Sequence, residues 1–235
     1  MNIPIQWRSY LIVTVPLVII LSALGALALY STFVLRHGSV HGLVPMFLLN
    51  AEGNIPTFFS SANLMFSSIV LFVAGGSAKQ SGRPFAIAWI ALGLVAMFLA
   101  VDEGVQIHEL LDRNREWTKG FFKASGFLAG PWVVVYGTLV LGFLVGFARF
   151  FLHLPPKYKL LFSFGAAMFV GASIGLEMIG AQVWTASGKS LSFEIVNWIE
   201  EVFEMSAVTL INASLLSYVQ TMHGSLTIQT GHAIA

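Results

Sequence analysis

Acidic and histidine side chains lie at the ends of three long apolar segments of this chain. The first group follows an apolar run that ends at Val101, the second is a single acid inside a later run, and the third opens the last run. Carboxylate oxygens together with imidazole suit iron, manganese or zinc, so the residue types predict a divalent metal site. The candidate metal ligands are Asp102, Glu103, His108, Glu109, Glu177, Glu201 and Glu204.

The apolar segments that carry these groups dominate the composition. Hydrophobic residues make up 57% of the 235 positions and charged residues only 10%, whereas a soluble domain has about 25% charged residues. The composition indicates a polytopic membrane protein whose main partner is the lipid bilayer. The chain has no cysteine, which excludes disulfides and thiolate metal sites. Its net charge of +1 and the lack of a basic run give no indication of nucleic-acid binding.

The hydrophobic segments predict an all-α fold, a polytopic membrane helix bundle with six transmembrane helices in a single domain over residues 1–235. Crossing the hydrocarbon core takes about 20 apolar residues, and none of the segments shows the alternation of a barrel strand. The predicted spans are 10–35, 57–75, 84–102, 126–151, 158–183 and 198–220.

Six spans place both termini on one side of the membrane and bring the three acidic groups to the other side. The 12 lysines and arginines divide equally between the two sides, so the positive-inside rule does not fix the orientation. We expect cytoplasmic termini, because four of the opposing bases share the long loop 112–123 with acids. That loop also carries Trp117, Phe121 and Phe122, which predicts either an amphipathic interfacial segment or a solvated loop.

The last span carries a polar stripe on one helical face. A charged side chain in hydrocarbon costs a few kcal/mol, so the stripe should face the bundle interior. A simpler explanation is that Glu200, Glu201 and Glu204 favour the positive end of the helix; for Glu200 the two explanations are balanced, whereas the deeper Glu204 favours a function. The stripe consists of Glu194, Asn197, Glu201, Glu204 and Asn212.

Asp102 and Glu103 lie near the carboxyl end of the third span, where the helix dipole disfavours anions. They therefore need a cation, a proton or a buried partner. Two local structures are open. The helix continues past Gly104 and places Glu109 on the face of Asp102, or it breaks at Gly104 and lets His108 turn back over the site.

Glu177 is an acid inside the fifth span, which makes it a functional candidate by default. It follows Gly171 and Gly175, small residues that permit close helix packing. Two unit charges about 4 Å apart interact by about 4 kcal/mol at an effective dielectric near 20, so the acids cannot all stay ionised alone. Either some are protonated or a divalent cation gathers them. The neutral imidazole of His108, a good ligand and a poor counter-ion, favours the cation.

Three short motifs resemble those of a group of uncharacterised bacterial multi-span membrane proteins. This resemblance implies an integral protein of the bacterial inner (cytoplasmic) membrane and no particular activity. The motifs are Pro56-Thr57-Phe58-Phe59-Ser60-Ser61, Asp102-Glu103-x4-His108-Glu109 and Glu200-Glu201-x2-Glu204-Met205.

The residues favour one function among three. The first is a carboxylate and histidine site near one membrane face that binds a divalent metal, with a membrane-embedded metalloenzyme as its catalytic form. The second is a proton- or cation-coupled transporter that uses the intramembrane acids. The third is a non-catalytic accessory subunit whose acids pair with bases of its own loop, of a membrane-complex partner or of another copy in an oligomer. The chain lacks the Glu-x-x-His pairs of di-iron bundles, so the reaction class stays open.

Overall fold

The computed structural model describes residues 2–4, 6–51, 53–113, 126–128, 130–223 and 227–229. These residues form α-helices, joined by short turns, with a brief strand near each terminus. The elements are β1 (Asn2–Pro4), α1 (Trp7–Phe33), α2 (Leu43–Phe47), α3 (Ile55–Gln80), α4 (Ala86–Val105), α5 (Glu109–Arg113), a 3-10 turn (Gly126–Leu128), α6 (Pro131–His153), α7 (Pro156–Val170), a π-helical turn (Gly171–Leu176), α8 (Glu177–Ser187), α9 (Leu191–His223) and β2 (Thr227–Gln229).

The predicted all-α bundle with six transmembrane helices is confirmed. Among the residues that the structure describes, six helices are long and apolar enough to cross a bilayer, and α7, the π-helical turn and α8 together make one of them. The helix ends differ by a few residues from the predicted spans because caps and turns set them. At the start of α3 the Asn54 side chain accepts a hydrogen bond of 3.1 Å from the Thr57 backbone N–H, and Pro56 occupies the first turn.

The helix α9 lies at the centre of the bundle. It packs against α1, α3, α7, the π-helical turn and α8, while α3 runs along α4. Within the span of α9 56% of the residues are buried, against 11% within α6, which therefore lies at the periphery. Towards the terminal side, an apolar core that includes Trp89, Phe150, Leu216 and Val219 closes the bundle.

A second set of buried residues is polar and lies near the middle of the bundle. The Asn212 amide donates to the Asn63 side-chain oxygen at 2.9 Å and to the Tyr10 hydroxyl at 3.0 Å. The Ser67 hydroxyl donates to the Asn212 oxygen at 2.6 Å, and the Asn63 amide donates to Thr209 at 3.3 Å. We call these five residues the asparagine network. The interior position predicted for the stripe on the last span is therefore correct.

The strands β1 and β2 pair antiparallel, with Ile3 opposite Ile228. This pairing joins the two ends of the chain, which six spans bring to the same side. Most of the predicted interfacial loop, residues 114–123, lies outside the residues that the structure describes.

Candidate functional site

A cavity of about 1130 Å3 opens between α4, α6, α7 and α9. All of the predicted metal ligands line it, and they are joined there by Glu200. The acidic and histidine residues of its wall are Asp102, Glu103, His108, Glu109, Glu177, Glu200, Glu201 and Glu204. We call the part of the cavity that these residues line its acidic end.

The acidic end owes part of its shape to the way α4 stops. The helix ends at Val105, and Gln106 takes a left-handed conformation with φ 61° while its N–H still bonds the Asp102 carbonyl. Residues without glycine's freedom adopt this conformation at some cost. The chain consequently reverses and brings His108 back towards Asp102. Of the two predicted alternatives, the structure has the one in which the helix breaks. The helix α4 ends at Val105, one residue after Gly104.

Asp102 is held by hydrogen bonds on both carboxylate oxygens. The His108 backbone N–H donates to Oδ1 at 2.8 Å, and His108 Nδ1 lies 3.2 Å from the same oxygen. The Tyr136 hydroxyl, from α6, donates to Oδ2 at 2.9 Å. An ionised carboxylate can only accept, so Nδ1 carries the proton and the lone pair of the imidazole is on Nε2. Asp102 thus fixes the orientation of His108, whose ring also lies 5.1 Å from that of Trp132.

Glu103, Glu200 and Glu204 form the part of the acidic end without such bonds. Within the described chain none of the three makes a hydrogen bond or an ion pair, although all three line the cavity. They are close enough for Glu204 to interact electrostatically with Glu103 and Glu200, and with Glu177 and Glu201 as well. Like charges at this separation inside a membrane repel one another unless a proton or a cation intervenes.

Glu177 reaches the cavity by way of the π-helical turn. This turn, Gly171–Leu176, ends immediately before Glu177 and changes the direction of the side chains that follow. π-Helical turns inside α-helices are frequent at functional sites. The close packing that Gly171 and Gly175 permit does not occur at these two positions, because no described atom lies within 4 Å of a Cβ placed at either of them.

The close approaches of this span lie at other glycines. A Cβ at Gly165 would meet Ile211 of α9 at 2.6 Å, and one at Gly180 would meet the Asn197 side chain at 3.3 Å. The fifth span is therefore fixed against α9 on both sides of the π-helical turn. Within the turn, Ala172 is buried, whereas Gly171 and Gly175 have open space at their Cβ positions.

The acidic side chains do not meet at one point. Among the residues that the structure describes, no three histidine or acidic side chains lie close enough together to hold a metal ion as they stand. The expected close cluster of carboxylates is thus spread around the wall of the cavity. A ligand that touches several of them either is larger than one ion or draws the side chains inward.

Sequence reasoning missed Tyr136 and Trp132, which complete the surroundings of His108. Both belong to an apolar segment. The only sequence feature that could have identified them is that they lie one helical turn apart and that each carries a polar group, the indole N–H or the hydroxyl, that needs a hydrogen-bond partner when buried. Glu194, part of the predicted stripe, is fully buried but does not line the cavity. Its Oε2 accepts a hydrogen bond of 3.1 Å from Asn50.

Below the acidic end the cavity is apolar. Its wall there comes from the facing sides of α4, α6 and α7, with Ile211 of α9 and Leu64 of α3 at the back. We call this part the apolar limb. Its main residues are Leu94, Val95, Phe98, Leu139, Gly142, Phe143, Leu144, Ala166, Phe169 and Val170.

Residues 11–219 match the model of a family described as a domain of unknown function, DUF8692, and the chain therefore belongs to that family. The match runs from α1 to α9 and includes every residue of the acidic end. No curated protein matches the chain, and no solved structure does.

Proposed function

We propose that this membrane protein binds a divalent metal ion at the acidic end of its cavity and that the bound ion is its functional centre. Iron, zinc and manganese suit a site of carboxylates and imidazole. The proposed ligands come from the residues predicted from the sequence, with Glu200 added. They are Glu103, His108, Glu109, Glu177, Glu200, Glu201 and Glu204, with Asp102 as a ligand or as the orienting partner of His108.

The observation that carries the proposal is the group of Glu103, Glu200 and Glu204. Three carboxyl groups face one cavity inside a membrane span, and within the described residues no hydrogen bond or ion pair stabilises them. A charged side chain there costs a few kcal/mol even on the gentler insertion scales. A divalent cation offsets both that cost and the mutual repulsion of the acids.

The hydrogen bonds of Asp102 support the same proposal. A histidine that ligates a metal usually donates its other ring N–H to a carboxylate, which fixes the tautomer and raises the basicity of the ligand. His108 and Asp102 have this arrangement, with 3.2 Å between Nδ1 and Oδ1. The Nε2 lone pair serves one role at a time, so in a membrane-embedded metalloenzyme that uses His108 as its general base the carboxylates alone would hold the ion.

Metal binding requires the side chains to move. The carboxyl groups are spread around the wall, so we expect Glu103, Glu200 and Glu204 to rotate inward when the ion enters. Glutamate side chains have three torsions and can make this movement without a shift of α4 or α9. Glu177 has the same three torsions.

Transport is less well supported than metal binding. A carrier or relay needs a polar route to both faces, and towards the terminal side the core around Trp89, Phe150 and Leu216 closes the bundle. The proposed location is a bacterial inner membrane, which the motif resemblance supports. The proposed orientation has cytoplasmic termini, because four of the bases on the opposite side share the loop 112–123 with acids. Single cysteines at Ser81 and Ser39 should label from the inside and the outside, respectively; the reverse result would contradict this orientation.

Calorimetric titration of the detergent-solubilised protein with Mn2+ or Zn2+ tests the proposal. Glu204→Gln should weaken binding by roughly 10- to 100-fold, since even supporting residues of metal sites have effects of that size. Glu194→Gln is the matched control, because it makes the same change in the same helix outside the cavity wall. Equal affinities in the two variants would contradict the proposed site.

A further inference from the structure

The apolar limb continues from the acidic end along α6. Tyr136 stands at the level of Asp102, to which it is bonded, and Leu144 is the last residue of α6 in the cavity wall. The separation of eight positions along the helix corresponds to about 12 Å at 1.5 Å per residue. One leaflet of a bilayer contributes about half of a 30 Å hydrocarbon core. The limb therefore has nearly the length of one leaflet.

The helix α6 is held at its two ends and stands apart between them. Near one end Tyr136 bonds Asp102 and its ring lies 6.4 Å from that of Phe98. Near the other end Phe150 packs edge-on against Trp89, with 4.8 Å between the ring centroids. Between these contacts Leu139 is 60% exposed and Leu144 is 58% exposed, although both line the cavity. The cavity is therefore open to the outside of the bundle along this part of α6.

The two parts of the cavity differ in the chemistry that they can accept. The limb offers aliphatic and aromatic walls at the depth of the hydrocarbon core, where the available occupant is a lipid chain. The acidic end offers oxygen ligands, and with the proposed metal ion bound it attracts phosphate oxygens. A single molecule that fits both parts is an amphiphile with a phosphate-bearing head and at least one hydrocarbon chain, which enters the limb.

We propose that the cavity binds one membrane phospholipid, with an acyl chain in the apolar limb and the phosphate at the acidic end. This inference rests on the proposed function, because the metal ion links the phosphate to the carboxylates. The phospholipid is then the class of molecule on which a metal centre in this cavity acts, or the ligand that it retains.

The test uses the full chain in lipid nanodiscs that contain a phospholipid with a photoactivatable diazirine in its acyl chain. After illumination, peptide mapping compares adducts at the limb residues Leu144 and Phe169 with adducts at Leu160. Leu160 is 72% exposed and lies outside the cavity wall, so it reports ordinary contact with the bilayer. The limb adducts should decrease when unlabelled phospholipid is added in excess, whereas a bulk-lipid contact decreases only by dilution.

Gly142→Phe should fill the limb, and Gly146→Phe is its matched control. Both glycines lie on α6 with no described atom within 4 Å of an added Cβ, but only Gly142 lines the cavity. Limb adducts should fall about tenfold in Gly142→Phe, the equivalent of about 1.4 kcal/mol, and stay unchanged in Gly146→Phe. Mn2+ binding should persist in Gly142→Phe, which shows that this variant is folded.

The outcomes separate this inference from the metal site. The phospholipid site would be overturned, even if metal binds, by either of two results. One is that Gly142→Phe leaves the limb adducts unchanged; the other is that excess lipid affects the limb adducts in the same way as those at Leu160. Limb adducts that disappear in Gly142→Phe but resist a chelator would retain the chain site and refute the role of the metal. Loss on both treatments supports the complete proposal.

Discussion

Two polar regions lie inside the same bundle, and they stabilise their polar groups in different ways. In the asparagine network, Asn212 bonds Asn63, Ser67 and Tyr10 at 2.6 to 3.0 Å. At the acidic end, Glu103, Glu200 and Glu204 have no bonded partner among the described residues. The network is closed and complete, whereas the acidic end opens into a cavity.

This difference separates a structural role from a functional one. Polar groups in a membrane must find partners within the protein, and the network finds them among its own members. Asp102 also has its partners, in His108 and Tyr136. Glu103, Glu200 and Glu204 face a space that a ligand can enter, and the proposed metal ion would be the partner that they lack among the described residues. The predictions below change one region at a time.

Asn212→Leu should have the largest effect on stability. It leaves the polar groups of Asn63, Ser67 and Tyr10 without their shared partner, and an unsatisfied buried group costs about 1–3 kcal/mol. Thermal unfolding in detergent measures the loss, with Ser214→Ala as a control, because the Ser214 hydroxyl bonds the Leu210 carbonyl of its own helix. The loss should be equal with metal and with chelator. A loss that depends on metal would mean that the two regions are one site.

Glu204→Gln should respond to metal in the opposite way. With metal present the variant should unfold at a lower temperature than the parent, because weaker binding by 10- to 100-fold removes about 1.4 to 2.7 kcal/mol of ligand stabilisation. In chelator the difference should vanish or change sign, since the substitution removes a charge from a group of like charges. A variant that is as stable as the parent under both conditions would indicate a protonated or functionally silent acid.

Asp102→Asn should have a smaller effect, mainly on metal affinity. The amide no longer holds the Nδ1–H of His108 by a charge-assisted bond, and loss of such a partner weakens metal sites by about tenfold at the lower end of the usual range. Thr138→Val is the control, since Thr138 also lines the cavity and its hydroxyl bonds the Val134 carbonyl. Unchanged affinity in Asp102→Asn would mean that His108 is not a ligand.

The number and approximate positions of the long helices could be predicted from the sequence, because hydropathy directly determines which segments insert into a membrane. The interior face of the last span also followed from spacing, and Asn212 and Asn197 are buried as expected. Counting spans placed the acids on one side of the membrane, and the structure adds that they line one cavity. Each of these inferences depends on a periodic or additive property, which sequence alone contains.

The details of the site depend on local backbone conformation and on packing, so they could not be predicted from hydropathy, spacing or the number of spans. The reversal at Gln106, a non-glycine residue at φ 61°, comes from the capping of α4 and the bonds of Asp102. Tyr136 is 34 residues from Asp102 in the chain, and only the packing of α6 shows that they meet. The π-helical turn before Glu177 likewise has no signal in composition, and at its glycines, Gly171 and Gly175, no described atom lies within 4 Å of an added Cβ.

The central claim is that the acidic end holds a metal ion, and elemental analysis of the purified protein tests it most directly. The protein should be solubilised without chelator, exposed to iron, zinc and manganese, and freed of excess metal before measurement. The account predicts about one bound divalent ion per chain in the parent and in Glu194→Gln, and a loss of that ion in Glu204→Ala. Parent protein that stays free of metal after this treatment would contradict the account.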